Sequence, residues 1–398
     1  MARVFSKALN EQINFRRIIG QKESTQGPTI VIMAGIHGNE PAGIIALQRV
    51  FDQLDKGNKR IKGNLMAIAG HLRALDKGIR FFEKDLNRAW SEQNLQLVRS
   101  APPNQELNKD LRELREIDKL ISDIIKNKPG PFYFFDIHTT SSDSIPFITL
   151  NDTLVNRRFA RHYPSPIILG IEEHLEGPFL NYVNSLGYIS LGFEAGQHDT
   201  LESIENAVAF IFSTLTYTGS LDREFNCSAY ENRLQRASKD LKDFFEIRYR
   251  KPVFENDGFK MKAGYVNFQM VDDNEELAKD NEGIVKAELD GRILMPLYQN
   301  KGDDGFFLIR RTRKIALWLS KWLRKISFDS VLTLLPGVRW SSKNRDALII
   351  DLKVARYLAI ELFHLLGYRN KSYGVSHMIV KKREASSKYK EYKSERWY

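Results

Sequence analysis

Between residues 28 and 215, short apolar runs alternate with helical stripes, and this alternation restricts the fold more than any other feature of the chain. PTIVIMAGI (28–36), GNLMAIAG (63–70), PFYFFDIHT (131–139) and GYISLGFEAG (187–196) are continuous apolar runs of strand length. Such runs are typical of strands covered on both faces. PAGIIALQRVFDQL (41–54) reads as a helix with Pro41 just inside its start. NKDLRELREIDKLISDIIKN (108–127) places Leu111, Leu114, Ile117, Leu120, Ile121 and Ile124 on one stripe. ESIENAVAFIFSTL (202–215) supplies a third helix. Strands that alternate with helices predict an α/β unit: a mostly parallel sheet flanked by helices.

The pattern changes after about residue 225. A charged helical connector is expected over 228–250. It is followed by GYVNFQMV, GIVKAELDG, RILMPLYQN and DDGFFLIR, short segments punctuated by Gly and Asp. Turn signals at that spacing predict a small antiparallel β domain. Residues 311–326 read as a basic amphipathic helix with its stripe at Ile315, Trp318, Leu319, Trp322 and Ile326. Residues 348–367 read as a second helix stopped by Gly367, and the tail from Lys381 onward reads as disordered. The expected division is therefore 1–225 (α/β), 226–310 (small β domain) and 311–398 (basic helical extension and tail).

The net charge of +10 belongs to the last part: residues 311–398 hold 20 Lys and Arg against 7 Asp and Glu, whereas residues 1–310 hold 40 against 43. A basic extension can meet an anionic surface, either lipid or nucleic acid. It can also leave its cations solvated while Trp318 and Trp322 pack on the protein, which is the expectation here because amphipathic helices mostly bury their stripe. Cys227 is the only cysteine, which excludes an internal disulfide framework and any multi-cysteine zinc site. The N-terminus lacks the apolar core of a signal peptide. No run approaches the length of a membrane-spanning helix. A cytoplasmic location is expected.

Four stretches at strand ends carry the polar chemistry, and in open α/β sheets ligands bind at the carboxyl ends of strands. GIHGNEPAG (35–43) puts His37 and Glu40 on one Gly-flanked turn, and FFDIHTTSS (134–142) puts His138 at another strand end. Two His and one Glu with an open fourth position form a catalytic zinc set. Asp136, two residues before His138, can orient that imidazole through its other nitrogen. GIRFFEKDLNRAW (78–90) offers Arg80, Asn87 and Arg88; taken alone these fit a solvated turn as well as a carboxylate grip. In GFEAGQHD (192–199), Glu194 follows an apolar strand. Desolvation there can raise its pKa toward the range of a general base; taken alone, it is equally a surface glutamate. The other six histidines read as structural or surface groups.

In order, HGNE, R-x6-NR, D-x-H-T-T and F-E-A-G resemble the succinylglutamate desuccinylase/aspartoacylase family, relatives of the zinc carboxypeptidases, over roughly residues 25–310. The resemblance implies a zinc-carboxypeptidase-like α/β domain and a β domain that narrows the site entrance. It implies one Zn2+ per chain on His37, Glu40 and His138. Glu194 is implied as the group that activates water and protonates the leaving amine, and Arg80 as the oxyanion's partner. Asn87 and Arg88 are implied as the holders of the substrate carboxylate. A further family arginine between His138 and Glu194 has no matching motif; Arg157, Arg158 and Arg161 are the candidates.

The expected activity is hydrolysis of a linear amide in an N-acyl amino acid or a similar carboxylate-bearing small molecule. One alternative is a metallocarboxypeptidase acting on peptides, with the β domain arguing against a long substrate. Another is a binding protein that meets an anionic surface through residues 311–398. The acyl group and the oligomeric state, a homo-oligomer included, do not follow from the sequence.

Overall fold

The computed structural model describes residues 1–102, 104–221, 225–325, 332–334, 336–341, 345–351, 353, 366–373 and 377–398. An eleven-stranded sheet organises them. At its centre Asn64–Ala69, Thr29–Ala34, Phe132–Thr140 and Ile189–Gln197 lie side by side, all parallel. Ile18–Lys22 closes one edge antiparallel. On the other side come Phe147–Leu150, Ile167–Leu169 and Phe244–Pro252, then the antiparallel Asp304–Arg311, Gly291–Leu294 and Met270–Val271.

Alternation along each strand builds two cores. Ile30, Ile32 and Ala34 face the helices Ala42–Lys56 and Leu201–Tyr217, where Phe193 and Phe210 stack at 4.1 Å. Val31 and Met33 face the other way, onto Leu114, Ile117 and Ile121 of the helix Lys109–Asn127. The predicted stripe is thus the buried one, and the predicted α/β architecture is present.

The second half differs from expectation in four places. The connector expected to be helical over 228–250 is helical only over Ser228–Ala237. Phe244–Pro252 is a strand, with Phe245 and Ile247 buried between more exposed neighbours. It pairs with Ile167–Leu169, so the main sheet continues across the 225/226 boundary.

The helix expected over 348–367 begins as a strand. Ala347–Asp351 sits in a four-stranded antiparallel sheet with Val338–Trp340, Tyr368–Tyr373 and His377–Lys382. Leu348 and Ile350 point into its core, while Ile349 and Asp351 are only partly buried. The remainder of that predicted helix, 354–365, lies outside the described residues.

The basic helix forms, over Lys314–Lys325, but rotated from the expected orientation. Ile315, Trp318 and Trp322 are exposed, and Leu317, Ser320 and Arg324 are buried. A charged pair decides the rotation, because Arg324 Nη2 donates to Asp152 Oδ2 at 3.0 Å and Nη1 to Glu384 at 3.2 Å.

The tail is ordered. Tyr392 and Trp397 join the main core. Trp397 Nε1 donates to the Tyr133 hydroxyl at 2.9 Å, and the Tyr392 hydroxyl donates to Phe132 O and accepts from Ile189 N. Composition predicts disorder because lysines dominate the segment, yet its aromatic residues carry enough apolar area to anchor it. No helix among the described residues is long and apolar enough to cross a membrane.

Candidate metal centre and cleft

The turn between Thr29–Ala34 and Ala42–Lys56 is tight. Gly35 adopts φ +68°, and a Cβ on Gly38 would stand 2.1 Å from the Ala74 carbonyl carbon. Only glycine permits that approach, and it turns His37 and Glu40 toward the same point. In the register of the sheet, His138 and Glu194 are direct neighbours on adjacent parallel strands. His37, Glu40, Arg80, Asn87, Arg88, His138 and Glu194 accordingly line one cleft. Asp136 lies fully buried behind it.

His37, Glu40 and His138 are all buried, and one potential ligand atom from each falls within 4.8 Å of the others. His37 Nδ1 stands 2.8 Å from Glu40 Oε1, and His138 Nδ1 stands 3.1 Å from Glu40 Oε2. Both outer nitrogens are held by carboxylates: His37 Nε2 by Asp85 at 3.0 Å and His138 Nε2 by Asp136 at 2.8 Å. An outer carboxylate fixes ring orientation and leaves the inner nitrogen free to ligate. Two N donors and one O donor of this geometry fit a zinc-type ion.

Burial favours the neutral form of Glu40, but the charge of His37 and the bonds from His138 and His37 outweigh it and hold the carboxyl well below its usual range. Asp85 is held down in the same way, burial being outweighed by His37 and Arg80. Glu194 goes the opposite way. Burial pushes it up to about 8; His138 opposes the rise, and Glu40 and Asp136 add to it. Its Oε2 has no partner. A dication would draw this value back down.

Arg80 donates to Glu40 at 3.1 Å and to Asp85 at 3.3 Å, leaving its buried Nε–H unpartnered. Asn87 Oδ1 accepts from Phe179 N, and Arg88 donates to Asp304 at 2.9 Å. Asp304 also accepts from Arg250, so two cations share one carboxylate. None of the three candidate arginines lines the cleft: Arg157 is committed to Asp152, and Arg158 and Arg161 lie over Tyr398 and Phe244.

The sequence reading passed over three features. Asp85, besides holding His37, caps Leu86–Arg88 by accepting from Asn87 N at 2.7 Å. His198 sits at the rim, 2.6 Å from the Thr139 hydroxyl. The loop 295–304 straps the cleft. Gln299 accepts from Asn39, Pro296 O from the Ser141 hydroxyl, and Lys301 donates to Phe81 O and Phe82 O.

Residues 26–217 match the sequence model of the succinylglutamate desuccinylase/aspartoacylase catalytic domain. Succinylglutamate desuccinylase of Serratia proteamaculans is 24% identical over 115 residues, which is 29% of this chain and 33% of that protein. The match thus spans about a third of the length of such relatives. The solved succinylglutamate desuccinylase/aspartoacylase of Rhodobacter sphaeroides shares the fold at a TM-score of 0.54 and 17% identity, covering 74% of this chain and 88% of that one. The solved succinylglutamate desuccinylase of Vibrio parahaemolyticus does so at 0.51 and 14%, covering 79% and 91%. Residues 26–217, a little under half of the chain, thus resemble the catalytic domain of the succinylglutamate desuccinylase/aspartoacylase family, and the solved structures share its fold.

Proposed function

We propose that this chain is a zinc-dependent deacylase that hydrolyses the linear amide of an N-acyl amino acid or a similar carboxylate-bearing small molecule. The observation that carries the reading is the convergence of His37, Glu40 and His138 on one point, beside a glutamate with a raised pKa and an unpartnered oxygen. Held by these three ligands, zinc supplies Lewis acidity toward the amide carbonyl and toward water. Glu194 takes a proton from the attacking water as the new C–O bond forms. It returns that proton to the amide nitrogen as the C–N bond breaks, so one carboxylate serves both steps. Arg80, partly buried and oriented by Asp85, donates to the oxygen on which negative charge develops. Asn87 and Arg88 hold the substrate's carboxylate. Arg88 can do so while paired, because Asp304 is shared with Arg250 and the trio keeps one net positive charge.

The test is release of free amine from a panel of N-acyl amino acids, with chelator and then with zinc restored. Chelator-sensitive, zinc-restored release is expected. Acyl dipeptides with the same terminus should be poor substrates, because the 295–304 strap narrows the cleft; rapid cleavage of them would favour a carboxypeptidase. Glu194→Gln should lower turnover by a factor of about a hundred or more while zinc content stays stoichiometric. Near-normal turnover would remove Glu194 from this role.

A further inference from the structure

The cleft lining extends beyond the metal ligands and Glu194 into a largely apolar recess that holds two buried acceptors. Glu172 and Asn151 both line it. Glu172 lies on the short helix Ile171–His174 and its side chain is 1% exposed. Its Oε1 accepts from Asp152 N at 3.1 Å and stands 3.5 Å from Arg383 Nε. Its Oε2 has no partner. Asn151, 2% exposed, has an unpartnered Oδ1. Two buried acceptor oxygens without donors are costly in a folded protein unless something donates to them. Each could be relieved by a group that brings several N–H donors, and a positive charge on that group would also complement the carboxylate.

The recess adjoins the carboxylate grip rather than the far side of the zinc ligands. The segment 175–181 forms its wall through Leu175, Pro178, Leu180 and Asn181, and the same segment contacts the grip, because Phe179 N donates to Asn87 Oδ1 at 3.0 Å. A group seated in the recess therefore belongs to the part of the substrate that carries the carboxylate. The apolar Ile171, Leu175 and Leu180 suit a methylene stem leading to it.

We infer that the amino-acid moiety of the substrate carries a cationic side chain, an ammonium or guanidinium, received by Glu172 Oε2 and Asn151 Oδ1. Glu172 is thereby a specificity-determining residue. Arg383, contributed by the C-terminal extension, positions it from behind. The inference rests on the deacylase reading for the identity of that moiety, but the subsite itself is testable without turnover.

The measurement is calorimetric titration of the full zinc-loaded chain with free L-ornithine, L-lysine, L-norleucine and L-glutamate, for the wild type and for Glu172→Gln. All four ligands share the α-ammonium and α-carboxylate, so differences report the side chain. Ornithine or lysine is expected to bind about tenfold or more tighter than norleucine, as a charge-assisted hydrogen bond would give. Glu172→Gln, which keeps an acceptor for Asp152 N, should bring lysine down to the norleucine affinity and leave norleucine unmoved. Equal binding of lysine and norleucine, a preference for glutamate, or a lysine preference that survives Glu172→Gln would overturn the inference. The wild-type ranking decides the matter even if the variant does not fold. Hydrolysis of the corresponding N-acetyl amino acids, run in parallel, separates the two claims. A lysine preference in binding without any amide cleavage would remove the deacylase reading and leave the subsite. Cleavage with a neutral or acidic preference would do the reverse.

Discussion

At the scale of single residues, each inner histidine nitrogen is set by a carboxylate on the far side of its ring. Asp85→Asn preserves a cap for Leu86–Arg88 but removes the charge facing His37, and Asp136→Asn does the same for His138. Each is expected to weaken zinc binding by about 10- to 100-fold, measured by competition with a chromophoric chelator; unchanged affinity would show that the ring orientations are set elsewhere. Of these two carboxylates only Asp136 was legible in the sequence, because it is two residues from its partner. Asp85 lies 48 residues from His37, and nothing along the chain brings them together; the crossover from one strand end to the next does. Asp110 is a second case. It accepts from His71 and from the backbone N–H groups of Phe82, Glu83 and Lys84, and so ties down the loop that carries Arg80, Asn87 and Arg88. Burial would raise its pKa, but these bonds outweigh burial and lower it to about 2. A lowered carboxylate stabilises the fold above its ordinary value near 4 and loses that contribution as pH falls toward 2. Acid titration of wild-type stability should therefore show a loss of roughly 2 kcal/mol across that window, and Asp110→Asn should flatten it.

At the scale of elements, periodicity located the four central strands and the three helices it predicted to within a few residues, because each strand is apolar along most of its length and each helix has one apolar face; it passed over shorter elements such as Phe147–Leu150 and Ile167–Leu169. It failed where a helix had two plausible faces. In Lys314–Lys325 the aromatic stripe looks like the buried one, yet the face with Leu317, Ser320 and Arg324 is inside. Hydropathy cannot foresee a buried arginine; the carboxylates of Asp152 and Glu384 that make it tolerable come from residues far away in the chain. Trp318→Ser and Trp322→Ser are thus expected to change stability by no more than about 0.5 kcal/mol. Leu317→Ala should cost about 2 kcal/mol or more. Denaturant melts that ranked these in the opposite order would mean the helix packs on its aromatic face. The strand Phe244–Pro252 was misread for a related reason: a charged residue at every second position resembles a solvated helix until the alternation of Phe245 and Ile247 is noticed.

At the scale of the whole molecule, the basic extension is part of the frame of the fold. Arg324 and Arg383 converge with Arg157 on Asp152, whose carboxyl is held far below its usual range by these three guanidinium groups against the effect of burial. The ends of Phe132–Thr140 and Ile189–Gln197 opposite the cleft are sealed by Tyr392 and Trp397. Trp397→Ala should cost about 3 kcal/mol or more, visible as a lower Tm; a Tm within a degree of wild type would mean that the seal is dispensable. Charge counting placed the extension's excess of cations correctly but could not show that two of them are interior. The seal also orders events during synthesis. The central strands leave the ribosome long before residues 388–398 do, and until those residues arrive the aromatic floor around Tyr133 and Phe159 faces water. Each nascent chain therefore passes through a stage in which the sheet edge that carries the cleft can be assembled while its opposite edge remains open, a surface that chaperones, or other copies at the same stage, can reach.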